Sequence, residues 1–181
     1  MHLHKIICFG IVVLIISLLA NSMTWRKTCF EGGRINFTEL IKDGNFEDLN
    51  LTIYYFSPTL FTFLPTSTEQ LLGEKYQYRI VVRGEILREH ADLLKQLDSV
   101  ELVSVEEESR MDARIYYVFE NEKNGETFSV AMWTSEGSIQ VNGIAVAEEP
   151  VFYDVLVHFL PYQSRERMKR RAEILRNVGD D

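Results

Sequence analysis

The chain has 181 residues, 46% hydrophobic and 25% charged, which is enough for one globular domain with a buried core and a further segment besides. Its formal net charge of −8 excludes general binding to a nucleic-acid backbone, which needs an excess of Lys and Arg to displace counterions. With only two cysteines, Cys8 and Cys29, it is not a disulfide-stapled scaffold.

Residues 6–20, IICFGIVVLIISLLA, make an apolar run behind the basic Lys5. As a helix this run spans roughly 22 Å, short of the roughly 30 Å hydrocarbon core of a bilayer. Small residues at Ala20 and Ser22 follow it, so residues 1–22 read as a secretory signal cleaved after Ser22. Stretched as far as Trp25, the same run reads as an uncleaved membrane anchor with an interfacial tryptophan. Either reading puts the domain outside the cytoplasm. Neither cysteine follows a lipobox, and Cys29 stands alone in a chain without residues 1–22. An exported domain that lacks disulfides points to a bacterial cell surface. In a eukaryote, Asn36 and Asn50 would be glycosylation sequons.

Residues 23–35 contain Gly32-Gly33 and mixed charge, and read as a linker into a single domain over 36–181. Asn36 or Thr38 can cap a short helix that carries Phe37, Leu40 and Ile41, with Gly44 as its stop. Over 49–56, Leu51, Ile53 and Tyr55 alternate with Asn50, Thr52 and Tyr54, the period of two that marks a strand. Residues 57–65, SPTLFTFLP, are apolar yet bracketed by prolines. Leu60, Phe61, Phe63 and Leu64 either pack as an irregular edge or lie exposed as a contact patch. Thr66 and Glu69 match a capping box for a small helix that stops at Gly73, and a strand follows over 76–82. The spacing then predicts a helix over 85–97 with Ile86, His90, Leu93, Leu94 and Leu97 on one face. A strand over 100–105 leads to the acidic run Glu106-Glu107-Glu108.

The clearest pattern lies over 113–146. Ile115, Tyr117 and Phe119 alternate with Tyr116, Val118 and Glu120, and Phe128, Val130 and Met132 with Ser129, Ala131 and Trp133. Asn142-Gly143 between two short apolar runs predicts a hairpin, because both central turn positions want positive φ. Pro150 stands near the start of a helix over 151–160. Val151, Phe152, Val155, Leu156, Phe159 and Leu160 should face the sheet, with Tyr153, Asp154, Val157 and His158 outside. Phe152, Val155 and Phe159 should touch residues such as Ile115, Val118, Val130 or Ile139. Ser164 then caps a last helix over 165–178, whose narrow seam of Met168, Ala172 and Leu175 predicts a small contribution to stability. The fold class that results is α+β: a mainly antiparallel sheet of five to seven strands with helices on one face, preceded by the signal or anchor helix.

Chemistry is sparse. There is no GxGxxG, P-loop, CxxC, HExxH or Asp-rich calcium loop, so the sequence supports no cofactor and no metal. Asp154 and His158 are four apart on one helix, a spacing at which a carboxylate can orient an imidazole for acid–base work. No serine or cysteine sits in a nucleophile elbow beside them. Glu106, Glu107, Glu108, Asp112, Glu120 and Glu122 offer many carboxylate pairs and single out none. His90, on an apolar stripe, reads as a half-buried structural histidine. Tyr54, Tyr116 and Trp133 fall on strands where alternation turns some aromatics away from the core, and exposed Tyr and Trp on a sheet are enriched at contact surfaces.

The function this predicts is a non-catalytic, extracytoplasmic interaction domain. It would bind another protein or a cell-surface component through a sheet face around Tyr54, Tyr116 and Trp133, touch membrane only through its N-terminal segment, and bind no nucleic acid. The alternative is a secreted hydrolase working through carboxylates or the Asp154–His158 pair.

Overall fold

The period-two stretches become the strands of one antiparallel sheet. The computed structural model describes residues 30–31, 34–35, 37–41, 45–57, 59–60, 62–73, 75–105, 112–123, 125, 127–132 and 138–178. The signal or anchor segment and Trp133 lie outside the described residues. Two short strands, β1 (Phe30–Glu31) and β2 (Arg34–Ile35), pair with each other ahead of the main sheet. In chain order there follow α1 (Phe37–Leu40), β3 (Leu49–Tyr55), α2 (Thr68–Leu72), β4 (Tyr78–Arg83), α3 (Gly84–Glu89), α4 (Ala91–Lys95) and a 3₁₀ turn (Gln96–Ser99). Then come β5 (Ile115–Asn121), β6 (Thr127–Met132), β7 (Ser138–Val141), β8 (Ile144–Ala147), α5 (Pro150–Val157) and α6 (Tyr162–Val178). The six-stranded sheet has the order β4-β3-β5-β6-β7-β8, every pair antiparallel. The fold is α+β.

Alternation sorts the strands cleanly. Leu49, Leu51, Ile53 and Tyr55 of β3, Ile115, Tyr117 and Phe119 of β5, and Phe128, Val130 and Met132 of β6 are all buried on the inner face. Helix α1 seats Phe37 there, edge-on to Phe119 at 4.8 Å and to Phe128 at 5.9 Å. Buried Asn121 donates to the Leu40 carbonyl at 2.8 Å, which satisfies the end of that short helix. The β7–β8 turn has Asn142 at φ 49° and Gly143 at φ 82°, the two positive values its sequence demands. Gly84 serves another purpose: a Cβ there would lie 1.6 Å from the Phe46 carbonyl oxygen, so only glycine lets α3 start against that turn.

Several expectations are corrected. The helix over 85–97 is broken at His90, which ends α3 and begins α4. Its buried stripe uses Leu87 instead of Ile86, which is exposed; with both apolar, periodicity alone cannot choose between them. Residues 100–105 form no regular strand. They meet β8 through one bridge, Ser104 to Val146, with Val105 N–H donating to the Ala145 carbonyl and Ala147 N–H to the Val103 carbonyl. The capping box lies one residue later than predicted: Ser67 Oγ accepts from Gln70 N at 3.2 Å and Gln70 Oε1 accepts from Ser67 N at 3.4 Å. Thr66 is engaged elsewhere, since its own N–H donates to Asp112 at 2.8 Å. Helix α2 also breaks the one-sided arrangement, because Leu71 packs on the outer face with Ala131 and Tyr116.

The last two helices differ most. α5 stops at Val157, and Tyr153 and Val157, predicted to face outward, are buried along with Val151, Phe152, Val155 and Leu156. The cause is a second layer: α6 lies along α5 and seats Met168 and Ala172 in the same core. Tyr153 Oη donates to Glu148 at 2.7 Å, and Arg171 of α6 pairs with the other oxygen of that carboxylate. Ser164 is no cap but a buried residue inside the first turn of α6. Phe159 is only half-buried, against His90, and Val118 lies on the outer face, away from α5.

The weight of the core therefore rests on Phe152, whose side chain is fully buried while its carbonyl accepts from Tyr117 Oη at 3.3 Å. Phe152→Ala should cost about 3–5 kcal/mol in urea denaturation, and Phe159→Ala only about 1–2 kcal/mol. Equal losses for the two variants would contradict this placement.

Candidate functional site

The outer face of the sheet carries its own pattern. Because Tyr54 pairs with Arg79 on one side and Tyr116 on the other, and Tyr116 with Ala131, one row reads Arg79, Tyr54, Tyr116, Ala131. The Tyr54 ring meets Tyr76 edge-on at 5.5 Å and Tyr116 at 6.2 Å. The Arg79 guanidinium lies 5.7 Å from the Tyr54 ring centre, and its Nε donates to the Tyr54 hydroxyl at 3.4 Å. Leu71 of α2, with Ala113 and Ala131, buries one flank of this cluster and leaves Tyr54, Phe56, Tyr76 and Tyr116 half-buried. The structure thus brings together two of the three aromatic candidates.

Beside the tyrosines, the chain leaves β3 at Phe56 and returns to β4 through Tyr76. That excursion is pinned by an ion pair whose arginine is buried and whose carboxylate is partly exposed. Arg114 Nε donates to Asp112 at 2.8 Å, a second guanidinium nitrogen also reaches that carboxylate, and the same nitrogen donates to Thr62 Oγ1 at 3.0 Å. The other Asp112 oxygen accepts the Thr66 N–H at 2.8 Å, and the Ala113 N–H donates to the Thr66 carbonyl at 2.7 Å. The Arg114 guanidinium also stacks over Phe56 at 5.0 Å. Held this way, the excursion exposes its apolar tip: Phe63 is fully exposed, Leu64 77% and Leu60 43%. Phe61 lies outside the described residues. Of the two readings of 57–65, the exposed patch is what forms. Next to it runs an open groove of about 540 Å³, lined by Phe56, Thr62, Phe63, Leu64, Thr66, Lys75 and Tyr76.

The acid–base candidates are placed differently. Asp154 forms an ion pair with Arg176 of α6 and lines a polar groove of about 510 Å³ with Glu149 and Glu101. His158, at the C-terminal end of α5, stacks on His90 with ring centres 4.4 Å apart. Burial, then repulsion from His90 and Arg165, holds the His158 imidazole below its ordinary value of 6.5, and the nearby Asp154 carboxylate only partly opposes this. Glu122 accepts from Asn50 at 2.6 Å, Glu120 is exposed, and Glu106, Glu107 and Glu108 lie outside the described residues. Among the described residues, no group of three or more His, Cys, Asp or Glu is placed to hold a metal ion.

Comparison of the chain with protein-family models, curated proteins and solved structures returns no match. What sequence reasoning missed is the pairing of Asp112, weighed there only as one carboxylate among many, with Arg114; together they hold the excursion at Thr62 and Thr66. Their signal was faint: two opposite charges flanking Ala113 at a strand entrance.

Asp112→Ala should destabilise the domain by about 3 kcal/mol, because it leaves the buried Arg114 charge unpaired, and should open residues 59–66 to proteolysis. Unchanged cleavage there would show that the pair does not hold the tip. For His158 the folded value lies below the unfolded one, so the unfolded chain takes up the proton first as pH falls. Stability is complete above about pH 6.5 and is lost as pH drops from there through the lower folded value. His158→Gln should flatten the fall in urea midpoint between about pH 7 and 5, and a slope equal to wild type would contradict the assignment.

Proposed function

We propose that this chain is a non-catalytic, extracytoplasmic binding domain that holds another protein or a cell-surface component against the outer side of its sheet. The observation that carries this reading is Phe63, fully exposed beside Leu64 on a tip pinned by Asp112 and Arg114. Apolar side chains held rigidly in water are what a partner's anchor pockets select, since little ordering remains to oppose binding. The groove floor of Phe56 and Tyr76 continues the patch to Tyr54 and Tyr116, so the contact surface combines an apolar anchor with hydroxyl-bearing rings. Such amphipathic rings are favoured at protein interfaces.

The extracytoplasmic setting rests on the apolar run over 6–20, which lies outside the described residues; among the described residues, no helix is long and apolar enough to cross a membrane. The hydrolase alternative has less support, because the Asp154 carboxylate is occupied by Arg176 and the His158 ring by His90.

A photo-crosslinking side chain placed at Leu64 should capture a discrete partner from cell-envelope preparations. The same group at Ile174, exposed on α6, should not. Phe63→Ser combined with Leu64→Ser should leave stability within about 0.5 kcal/mol while cutting capture at a third, neighbouring position by about tenfold. Identical adducts from positions 64 and 174 would overturn the reading.

A further inference from the structure

The two edges of the sheet are treated differently. At β8, the backbone of 103–105 lies alongside and shares hydrogen bonds with Ala145 and Ala147. At the other end, among the described residues, β4 is bonded only to β3, in six consecutive pairs from Asn50–Arg83 to Tyr55–Tyr78, without a bulge. An edge strand presents alternate N–H and C=O groups outward, and proteins usually blunt it with proline, a bulge or charge. β4, YRIVVR, has no proline, and its only charges are two arginines. Tyr78 is 50% exposed, Val81 48%, and Arg79 and Arg83 are exposed.

Arg79, Val81 and Arg83 share the outer face, with a spacing of two. On a protein of net charge −8, this edge carries no acid of its own, and exposed Lys75 stands just ahead of it on the groove wall. Glu120, on the row of Arg83 and Asn50, is separated from the edge by β3. A second copy of the chain is a poor occupant. Antiparallel self-pairing centred on Val81 would set Arg79 opposite the Arg83 of the other copy, and like charges directly opposed are destabilising. An extended chain with acids at alternate positions fits both the backbone groups and the arginines.

We propose that β4 takes up an acidic, extended segment of a partner protein as a seventh strand, with the end of that segment running past Lys75 and Tyr76 into the groove beneath Phe63. This deepens the binding reading above and rests on it for the groove, though the edge itself stands on its own geometry. Backbone pairing supplies the affinity, the two arginines select acidic side chains at alternate positions, and the groove holds one apolar residue.

The test uses the full chain and a fluorescent synthetic peptide that alternates glutamate with valine and ends in phenylalanine, with a lysine-for-glutamate counterpart. Fluorescence anisotropy should show binding of the glutamate peptide that weakens with salt, and amide exchange should show new protection over 78–83. Arg79→Glu with Arg83→Glu should lose the glutamate peptide at least tenfold and gain the lysine peptide, while Arg79→Lys with Arg83→Lys retains it. Both side chains are exposed, so circular dichroism should be unchanged. Phe63→Ser with Leu64→Ser should weaken binding without removing the protection over 78–83. The proposal is overturned if the glutamate peptide does not bind, if it binds without protection over 78–83, if charge reversal leaves affinity unchanged, or if the edge instead forms a dimer of this chain. Should only the Phe63 and Leu64 changes abolish binding, the edge fails and the groove reading stands; should neither pair matter, both fail.

Discussion

Helix α5 lies between the inner face of the sheet and α6, and both layers are arranged around it. Phe152, Val155 and Leu156 are fully buried, and burying side chains of this size contributes roughly 1.5–3 kcal/mol each. The polar groups that accompany them have to be satisfied. Tyr117 donates a hydrogen bond to the Phe152 carbonyl, and Glu148, itself almost fully buried, is bound by Tyr153 on one oxygen and Arg171 on the other. Burial, then the Glu148 charge, pushes the Tyr153 hydroxyl far above the usual phenol range, so it stays a donor at any ordinary pH. Glu148 without Arg171 would be a costly isolated charge, which makes the attachment of α6 part of the core.

This arrangement decides where function can sit. With α1, α3, α4, α5 and α6 all contributing to one cluster on the inner face, the side chains of that face are committed to the core. Among the described residues, the outer face carries α2 and the excursion between β3 and β4, and these cover one corner. The corner is built for presentation: Arg114 and Asp112 fix the excursion from beneath while Phe63 and Leu64 point away from any core. Among the described residues, the adjoining edge of β4 has no strand beside it, while the opposite edge is covered by 103–105. One corner thus gathers the exposed apolar tip, the tyrosines and the arginine-bearing strand.

Much of the sheet was legible in the sequence because alternation is local. The buried sets of β3, β5 and β6 are the ones their period of two marks, and Asn142-Gly143 takes the predicted turn. What was not legible depends on a second partner. Tyr153 and Val157 lie on the outward side of α5 by period, and it is α6, the next helix folding back along α5, that makes them interior. Ile86 and Leu87 are equally apolar, so the rotation of α3 was settled by packing. At the candidate site, alternation could turn Tyr54 and Tyr116 to one face, but only the β3–β5 register sets them side by side. The exposure of Phe63 follows from the long-range hydrogen bonds of Asp112 to Thr66 and of Arg114 to Thr62, which no spacing rule reveals.

Hydroxyl-radical footprinting of the full chain, read residue by residue by mass spectrometry, tests most directly the claim that one face is core and the other is presented. Phe63 and Leu64 should be oxidised fastest, Tyr54, Tyr76 and Tyr116 at intermediate rates, and Tyr117, Phe119, Phe128 and Phe152 only once the protein unfolds. Protection of Phe63 equal to that of Phe152 in the folded chain would contradict the account.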